Sequence, residues 1–255
     1  MLSKNKKREI ERLQQKKFRD DEGLFVAEGA KLINDFMRGG MLPKYIVGTP
    51  AGIMATENAL GNSQIYEVSE AELKELSILK TPANVLGVYD KPTLNQNITT
   101  IPSDLTLLLD RVQDPGNMGT IIRTADWFGI ERIICSDTCV DAFAPKVVQA
   151  TMGALARVSV VETDLVQLLK ANAEGARIPV YGTFMDGASI YASDLQQIAY
   201  IIMGNEGRGI SEELWPYITN KISIPSYPAG RTTSESLNVA MATTVICSEF
   251  RRRTI

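Results

Sequence analysis

Residues 105–128 read LTLLLDRVQDPGNMGTIIRTADWF, and the change of pattern inside them decides the fold class. The run 105–109 is apolar apart from Thr106, as a strand buried on both faces of a parallel sheet is. A polar stretch with Pro115 and Gly116 follows. Over 118–128 the residues Ile121, Ile122, Ala125 and Phe128 share one helical face, which predicts a helix packed on that sheet.

The same β-then-α unit repeats toward the C-terminus. Strands are expected at 132–135, 158–161, 178–182, 200–203 and 222–224. Helices are expected at 145–152, with Pro145 in the first turn, at 165–173, from 211 to 214, and at 237–252. This alternation implies an α/β domain with a mostly parallel open sheet and helices on both faces, spanning 103–255. Upstream, 3–18 reads as a helix and 23–29 as a strand running into a turn. A helix at 30–38 is stopped by Gly39 and Gly40. Strands follow at 43–47, 65–68 and 85–89, with a helix start between them marked by Ser69 as N-cap and Glu72 completing a capping box. Residues 1–90 thus form a small α/β domain. The polar, proline-bounded stretch 91–102 is its linker to the larger one.

Composition narrows the chemistry. The 255 residues include no histidine, which excludes Ser-His-Asp and Cys-His nucleophile systems, His-ligated zinc and imidazole as a base. Cys135, Cys139 and Cys247 are odd in number with no closer pair than CxxxC. They indicate no disulfide framework and no metal site, and read as thiols in a reducing compartment. The N-terminus lacks the apolar core of a secretory signal, and no apolar run is long enough to cross a bilayer, so a cytoplasmic protein is expected. The net charge of −3 is unevenly placed. Among residues 1–19, Lys4, Lys6, Lys7, Arg8, Arg12, Lys16, Lys17 and Arg19 face only Glu9 and Glu11. Such a basic arm suits nucleic-acid phosphates, and equally a solvated helix with Ile10, Leu13 and Phe18 turned inward.

In open parallel sheets, ligands bind beyond the carboxyl ends of the strands. Three segments there are rich in glycine, amides and charge: 110–119, 204–209, and 225–238, which ends in Ser236-Leu237-Asn238. The first has neither a P-loop ending nor GxGxxG. Arg123 lies early in a helix, where the dipole disfavours a cation, so it reads either as a ligand contact or as a surface residue. Glu206 reads as a turn residue or a functional carboxylate, and Ser236 as an N-cap or a site residue.

Taken together, Asn117-Met118-Gly119-Thr120-Ile121-Ile122-Arg123-Thr124, Gly204-Asn205-Glu206-Gly207 and Ser236-Leu237-Asn238-Val239 resemble the three ordered motifs of the SpoU (TrmH-like) branch of the SPOUT RNA methyltransferases. Residues 1–90 resemble the family's ribosomal-protein-like substrate-binding domain, with Phe25-Val26-Ala27-Glu28-Gly29 and Lys31 in its opening motif. The resemblance implies a C-terminal trefoil knot, one of the few exceptions to unknotted connectivity. It also implies a homodimer through the knotted domain, S-adenosylmethionine as methyl donor, no metal, and ribosomal or transfer RNA as substrate. Gly204, Ile224 and Leu237 would hold the donor, largely through backbone groups, with Thr183 a further contact. The segment 226–235 is longer than the commonest family form. Lys4, Lys6, Lys7, Arg8, Lys16, Lys17 and Lys31 would face RNA.

The expected reaction is 2′-O-ribose methylation. Arg123 would bind the adjacent phosphate and stabilise the developing alkoxide, because a guanidinium with a pKa above about 12 is a poor base. Asn117 and Asn238 would orient Arg123 and the ribose, Glu206 would position Arg123, and Ser236 would donate to substrate or donor. The alternatives are a SPOUT base methyltransferase, a catalytically inactive RNA-binding relative, and a generic nucleotide-binding α/β protein.

Overall fold

The computed structural model describes residues 2–56, 63–79, 81–92, 104–228, 234 and 236–253. In chain order the elements begin α1 (Lys4–Arg12), α2 (Lys16–Glu22), β1 (Leu24–Glu28), α3 (Ala30–Arg38), β2 (Tyr45–Gly48), α4 (Pro50–Met54), β3 (Gln64–Glu67), α5 (Glu70–Leu76) and β4 (Val85–Asp90). They continue with β5 (Thr106–Leu109), α6 (Pro115–Trp127), β6 (Arg132–Cys135), α7 (Pro145–Thr151), β7 (Ser159–Glu162), α8 (Leu165–Glu174), β8 (Val180–Ser189), β9 (Tyr200–Met203), β10 (Asn220–Ser223) and α9 (Val239–Arg252). Short 3-10 helices occupy Ala154–Ala156 and Glu212–Tyr217.

The chain divides into two compact units, 1–93 with 141–157, and 94–140 with 158–255. The first has a mixed four-strand sheet in the order β1-β4-β2-β3, with β2 and β3 parallel and the other pairs antiparallel. In its core Phe25 contacts Phe36, Tyr89 and Phe143, and Phe36 also meets Tyr89, at ring separations of 5.1–6.0 Å. Segment 141–157 therefore belongs to this unit, although the expected boundary at 103 assigned it to the other. Most of the expected linker, 93–102, lies outside the described residues.

The single helix expected over 3–18 is two helices. The chain breaks at Gln15, which is extended at φ −101° and ψ 134°. Buried Arg19 explains the break: its Nη1 donates to the Leu13 carbonyl at 2.7 Å, and its Nη2 meets Asp141 at 2.6 Å. A buried guanidinium needs such partners, and a continuous helix would have used the Leu13 carbonyl itself. The capping box at Ser69 and Glu72 is present as expected, and Gly39 ends α3.

The second unit holds six parallel strands in the order β10-β8-β9-β5-β6-β7. The central strands, TLLL and YIIM, are buried throughout, the requirement for a strand covered on both faces. Strand β8 runs well past the expected end at residue 182, because β10 pairs along it as far as Ser189. Gly187 is required there, since a Cβ would lie 2.5 Å from the Ile222 carbonyl carbon.

Helix α8 starts at its N-cap Asp164, whose carboxylate accepts from the amides of Val166 and Gln167, and it buries Leu165 and Leu169. Asp164→Ala is expected to cost about 1 kcal/mol, read as a lowered urea midpoint at unchanged slope. Among the described residues no helix is long and apolar enough to cross a membrane.

Candidate active site

Strands β5, β9 and β10 deliver three loops at their carboxyl ends. Helix α6 begins at Pro115, three residues before the expected start, because Asp114 caps it and accepts from the Asn117 amide at 2.8 Å. Asn117 is consequently a first-turn residue, and Arg123 lies beyond the first turn to which the dipole's effect is confined. After β9, Asn205 and Gly209 close a tight turn by reciprocal backbone hydrogen bonds of 3.0 and 2.9 Å. The Asn205 Oδ1 accepts from the amides of Gly207 and Arg208, which presents Glu206 at the tip. Its Nδ2 donates to the Arg111 carbonyl at 2.8 Å, tying this turn to the loop after β5. Arg111 has φ 58°, an uncommon conformation outside glycine, and its amide donates to Ser136 Oγ.

The third loop ends at Asn238, and this asparagine, not Ser236, is the N-cap of α9. Its Oδ1 accepts from the amides of Ala240 and Met241. That fixes its amide orientation and leaves Nδ2 to donate to Asn117 Oδ1 at 2.9 Å. The Asn117 Nδ2 in turn donates to Glu206 Oε1 at 2.7 Å. A helix cap stands at one end of this chain and an acceptor-only carboxylate at the other, so both asparagines are held in one sense. One hydrogen-bond chain, Asn238 to Asn117 to Glu206, joins the three motif segments.

The structure gives Glu206 a different partner from the one expected. It holds Asn117, and no described residue accepts a hydrogen bond from the exposed Arg123. The next residue, Thr124, meets Thr244 of α9 at 3.2 Å between hydroxyls, which sets the rotation of α6 against α9. Ser236 is exposed. Asn117→Asp keeps the acceptor for Asn238 but removes the donor and sets two carboxylates together. Methyl transfer is expected to fall about tenfold, the scale of one charged hydrogen bond, in a single-turnover assay.

The expected donor-binding residues fall at neighbouring strand ends. Thr183 lies where β8 leaves β9, with its hydroxyl donating to the Ile202 carbonyl at 3.0 Å. Gly204 follows β9, Ile224 follows β10, and Leu237 precedes the α9 cap. Neither Ile224 nor Leu237 has a backbone hydrogen bond to a described residue. Backbone groups so placed fit a nucleoside held through main-chain contacts.

In the first unit, Lys4, Arg8, Lys16, Lys17 and Lys31 are exposed. Lys6 is instead held by Glu9 at 3.0 Å and lies over the Tyr45 ring, and Lys7 meets Glu72 at 3.1 Å. These two stabilise the packing of α1, a role that the charge pattern alone did not separate from RNA contact.

Three supporting residues were missed in the sequence. Asp114 is signalled by the Asp-Pro pair at a helix start. Asn205 stands inside a quoted motif. Buried Asp110, which accepts from the amide and hydroxyl of Ser211 at 2.7 Å each, has no local signal.

A parallel α/β domain whose strand-end loops link Asn, Glu and Asn side chains, preceded by a small mixed α/β domain, defines a recognisable class. Residues 104–248 match the SpoU rRNA Methylase family, and residues 4–87 match the MRM3-like substrate binding domain. The chain belongs to the SpoU rRNA methylase family. It is 30% identical over 252 residues to the 23S rRNA (guanosine(2553)-2′-O)-methyltransferase RlmP of Bacillus subtilis, covering 98% of this chain and 97% of that one. A structure from Porphyromonas gingivalis, assigned to the TrmH family of RNA methyltransferases, is 41% identical with a TM-score of 0.88 and covers 99% of each chain. An AdoMet-bound rRNA methyltransferase from Sinorhizobium meliloti is 29% identical with a TM-score of 0.85, covering 100% of this chain and 97% of that one.

Proposed function

We propose that this chain methylates a ribose 2′-hydroxyl of ribosomal RNA, with S-adenosylmethionine as donor. The observation that carries the reading is the hydrogen-bond chain from Asn238 through Asn117 to Glu206, which holds the three family motifs together on the helix that bears Arg123. The relative in Bacillus subtilis is named for this reaction, and the relative from Sinorhizobium meliloti binds AdoMet.

When bound, the donor supplies an electrophilic sulfonium methyl. The chain's own residues align the nucleophile. Arg123, exposed and unpaired among the described residues, engages the phosphate beside the target ribose and stabilises the alkoxide as the hydroxyl loses its proton to solvent. Asn117 and Asn238 orient the ribose, Glu206 anchors Asn117, and Ser236 donates to the substrate. Thr183, Gly204, Ile224 and Leu237 hold the donor. The 2′-hydroxyl makes the reaction specific for RNA.

The first domain binds RNA through Lys4, Arg8, Lys16, Lys17 and Lys31, and the parallel-sheet domain is the catalytic one and carries the C-terminal trefoil knot. Two copies pair through the knotted domain. Trp127 on α6 (85% exposed) and Met241 on α9 (59% exposed) support pairing, since isolated copies leave these side chains in water. Loss of the gene is expected to remove one alkali-resistant linkage from ribosomal RNA. Loss of a base methyl would assign the reaction to the base, and unchanged ribosomal RNA would refute the proposal.

A further inference from the structure

Beside the Asn205–Gly209 turn lies an open cleft of about 490 Å³, lined by none of the residues assigned to the reaction. Arg111, Arg208 and Trp215 line it, together with Glu212 and Glu213. The backbone of Arg111 is held on both sides, its amide donating to Ser136 Oγ and its carbonyl accepting from Asn205 Nδ2. Its guanidinium is far less committed. Nε is buried with no hydrogen-bond partner among the described residues, Asp110 Oδ1 stands 3.5 Å away, and Nη2 reaches the Gly209 carbonyl only at 3.4 Å. Five N–H donors thus share one long hydrogen bond. Arg208 is exposed, two positions beyond Glu206, and its side chain has no hydrogen bond or ion pair with a described residue. Trp215 completes the lining. Its Nε1 donates to the Ile210 carbonyl at 3.1 Å, its ring meets Phe184 of β8 edge-on at 5.9 Å, and Lys221 Nζ of β10 lies 5.3 Å from its centre. An indole fixed by three contacts and still 43% exposed is a preorganised stacking surface.

We propose that this cleft binds a nucleotide of the RNA strand next to the target ribose, with its phosphodiester on Arg111 and Arg208 and its base stacked on Trp215. This assignment takes RNA as the substrate, as proposed above. The guanidinium forks match anionic phosphate oxygens, and the indole face accepts any base. The carboxylates of Glu212 and Glu213 only accept hydrogen bonds, so they suit the N–H groups of a base edge and repel a second phosphate. Two cations, an aromatic face and two acceptors fit a nucleotide better than a free anion. Arg208 belongs to the turn that presents Glu206, and Arg111 is bonded to that turn through Asn205 and Gly209. A nucleotide held here fixes the register of the strand against Asn117 and Arg123.

The test measures binding of the purified full chain to ribosomal RNA from cells lacking the gene, by filter retention over a series of salt concentrations. Arg208→Ala and Arg111→Gly, the latter suited to φ 58°, are each expected to lower the slope of log affinity against log salt by about one, as loss of a phosphate contact does. Lys170→Ala, exposed on α8, should leave the slope unchanged. Trp215→Ala is expected to weaken binding about tenfold at unchanged slope, and Trp215→Phe to restore most of it. Arg208 stands at an exposed turn, so its variant tests the cleft apart from any repacking at 215. Calorimetry with S-adenosylmethionine should be unmoved in all of them. Unchanged slopes in both arginine variants overturn the proposal, as does wild-type affinity in Trp215→Ala. A matching fall in donor affinity overturns it too, by assigning the cleft to the donor. Methyl transfer by the wild-type chain is scored separately: RNA held in the cleft without transfer would refute the proposed reaction and leave the cleft standing.

Discussion

Arg123→Lys is expected to lower methyl transfer by about 10²–10³-fold while leaving donor affinity within about twofold. Arg123 projects from α6 beyond the first turn, is exposed, and is offered no hydrogen-bond acceptor by any described residue. Its five donors are therefore available to a substrate. Lysine keeps the charge but gives up the planar fork that grips phosphate and alkoxide oxygens together. The proposed donor contacts stand on other loops, so calorimetry with S-adenosylmethionine should be nearly unmoved. Unchanged single-turnover rates would remove Arg123 from the mechanism.

The converse result is expected for Gly204→Ala, which should weaken donor binding by about 100-fold before any question of turnover arises. A Cβ at 204 would lie 2.5 Å from the Ile210 amide nitrogen and closer still to the Gly209 carbonyl carbon. Both are backbone atoms of the Asn205–Gly209 turn, so no side chain can swing away. Forcing such an overlap costs about 1–3 kcal/mol or more, and the turn is the part free to move. Its displacement would carry Glu206 from Asn117 and disrupt the strand end proposed to hold the donor. A loss of about 100-fold in donor affinity follows if some 3 kcal/mol of strain goes into the turn. Circular dichroism guards against general unfolding, and near-normal donor binding would show that the close approach at 204 is not needed.

Much of this architecture was readable because its causes are local. The strand at 200–203 is a short apolar run, and the capping box at Ser69 is written in two side chains three residues apart. The three motif loops were legible through composition at strand ends. Features that depend on distant partners were not. The break between α1 and α2 depends on Arg19 reaching Asp141, 122 residues away. Segment 141–157 joins the first unit through Phe143 packing on Phe25, which no periodicity reveals. The early start of α6 was legible in the Asp114-Pro115 pair, and reading that pair as a loop shifted the helix by a turn. The partner of Glu206 was inaccessible for another reason. Motif spacing assembles residues at one site but does not say which carboxylate oxygen meets which donor, and here the α9 cap decides it by fixing Asn238 and thereby Asn117.

The absence of histidine now has a specific meaning. The proposed reaction needs an aligned hydroxyl and a stabilised alkoxide more than a strong base, because the sulfonium methyl is already electrophilic. In the proposed mechanism the Asn238–Asn117–Glu206 chain and the exposed Arg123 guanidinium supply both. The measurement that tests this most directly incubates the purified chain with methyl-labelled S-adenosylmethionine and ribosomal RNA from cells lacking the gene, then hydrolyses the RNA in alkali. Label is expected in a dinucleotide that survives hydrolysis, since a 2′-O-methyl group blocks cleavage of the next phosphate. Label recovered only in mononucleotides, or none incorporated, would contradict it.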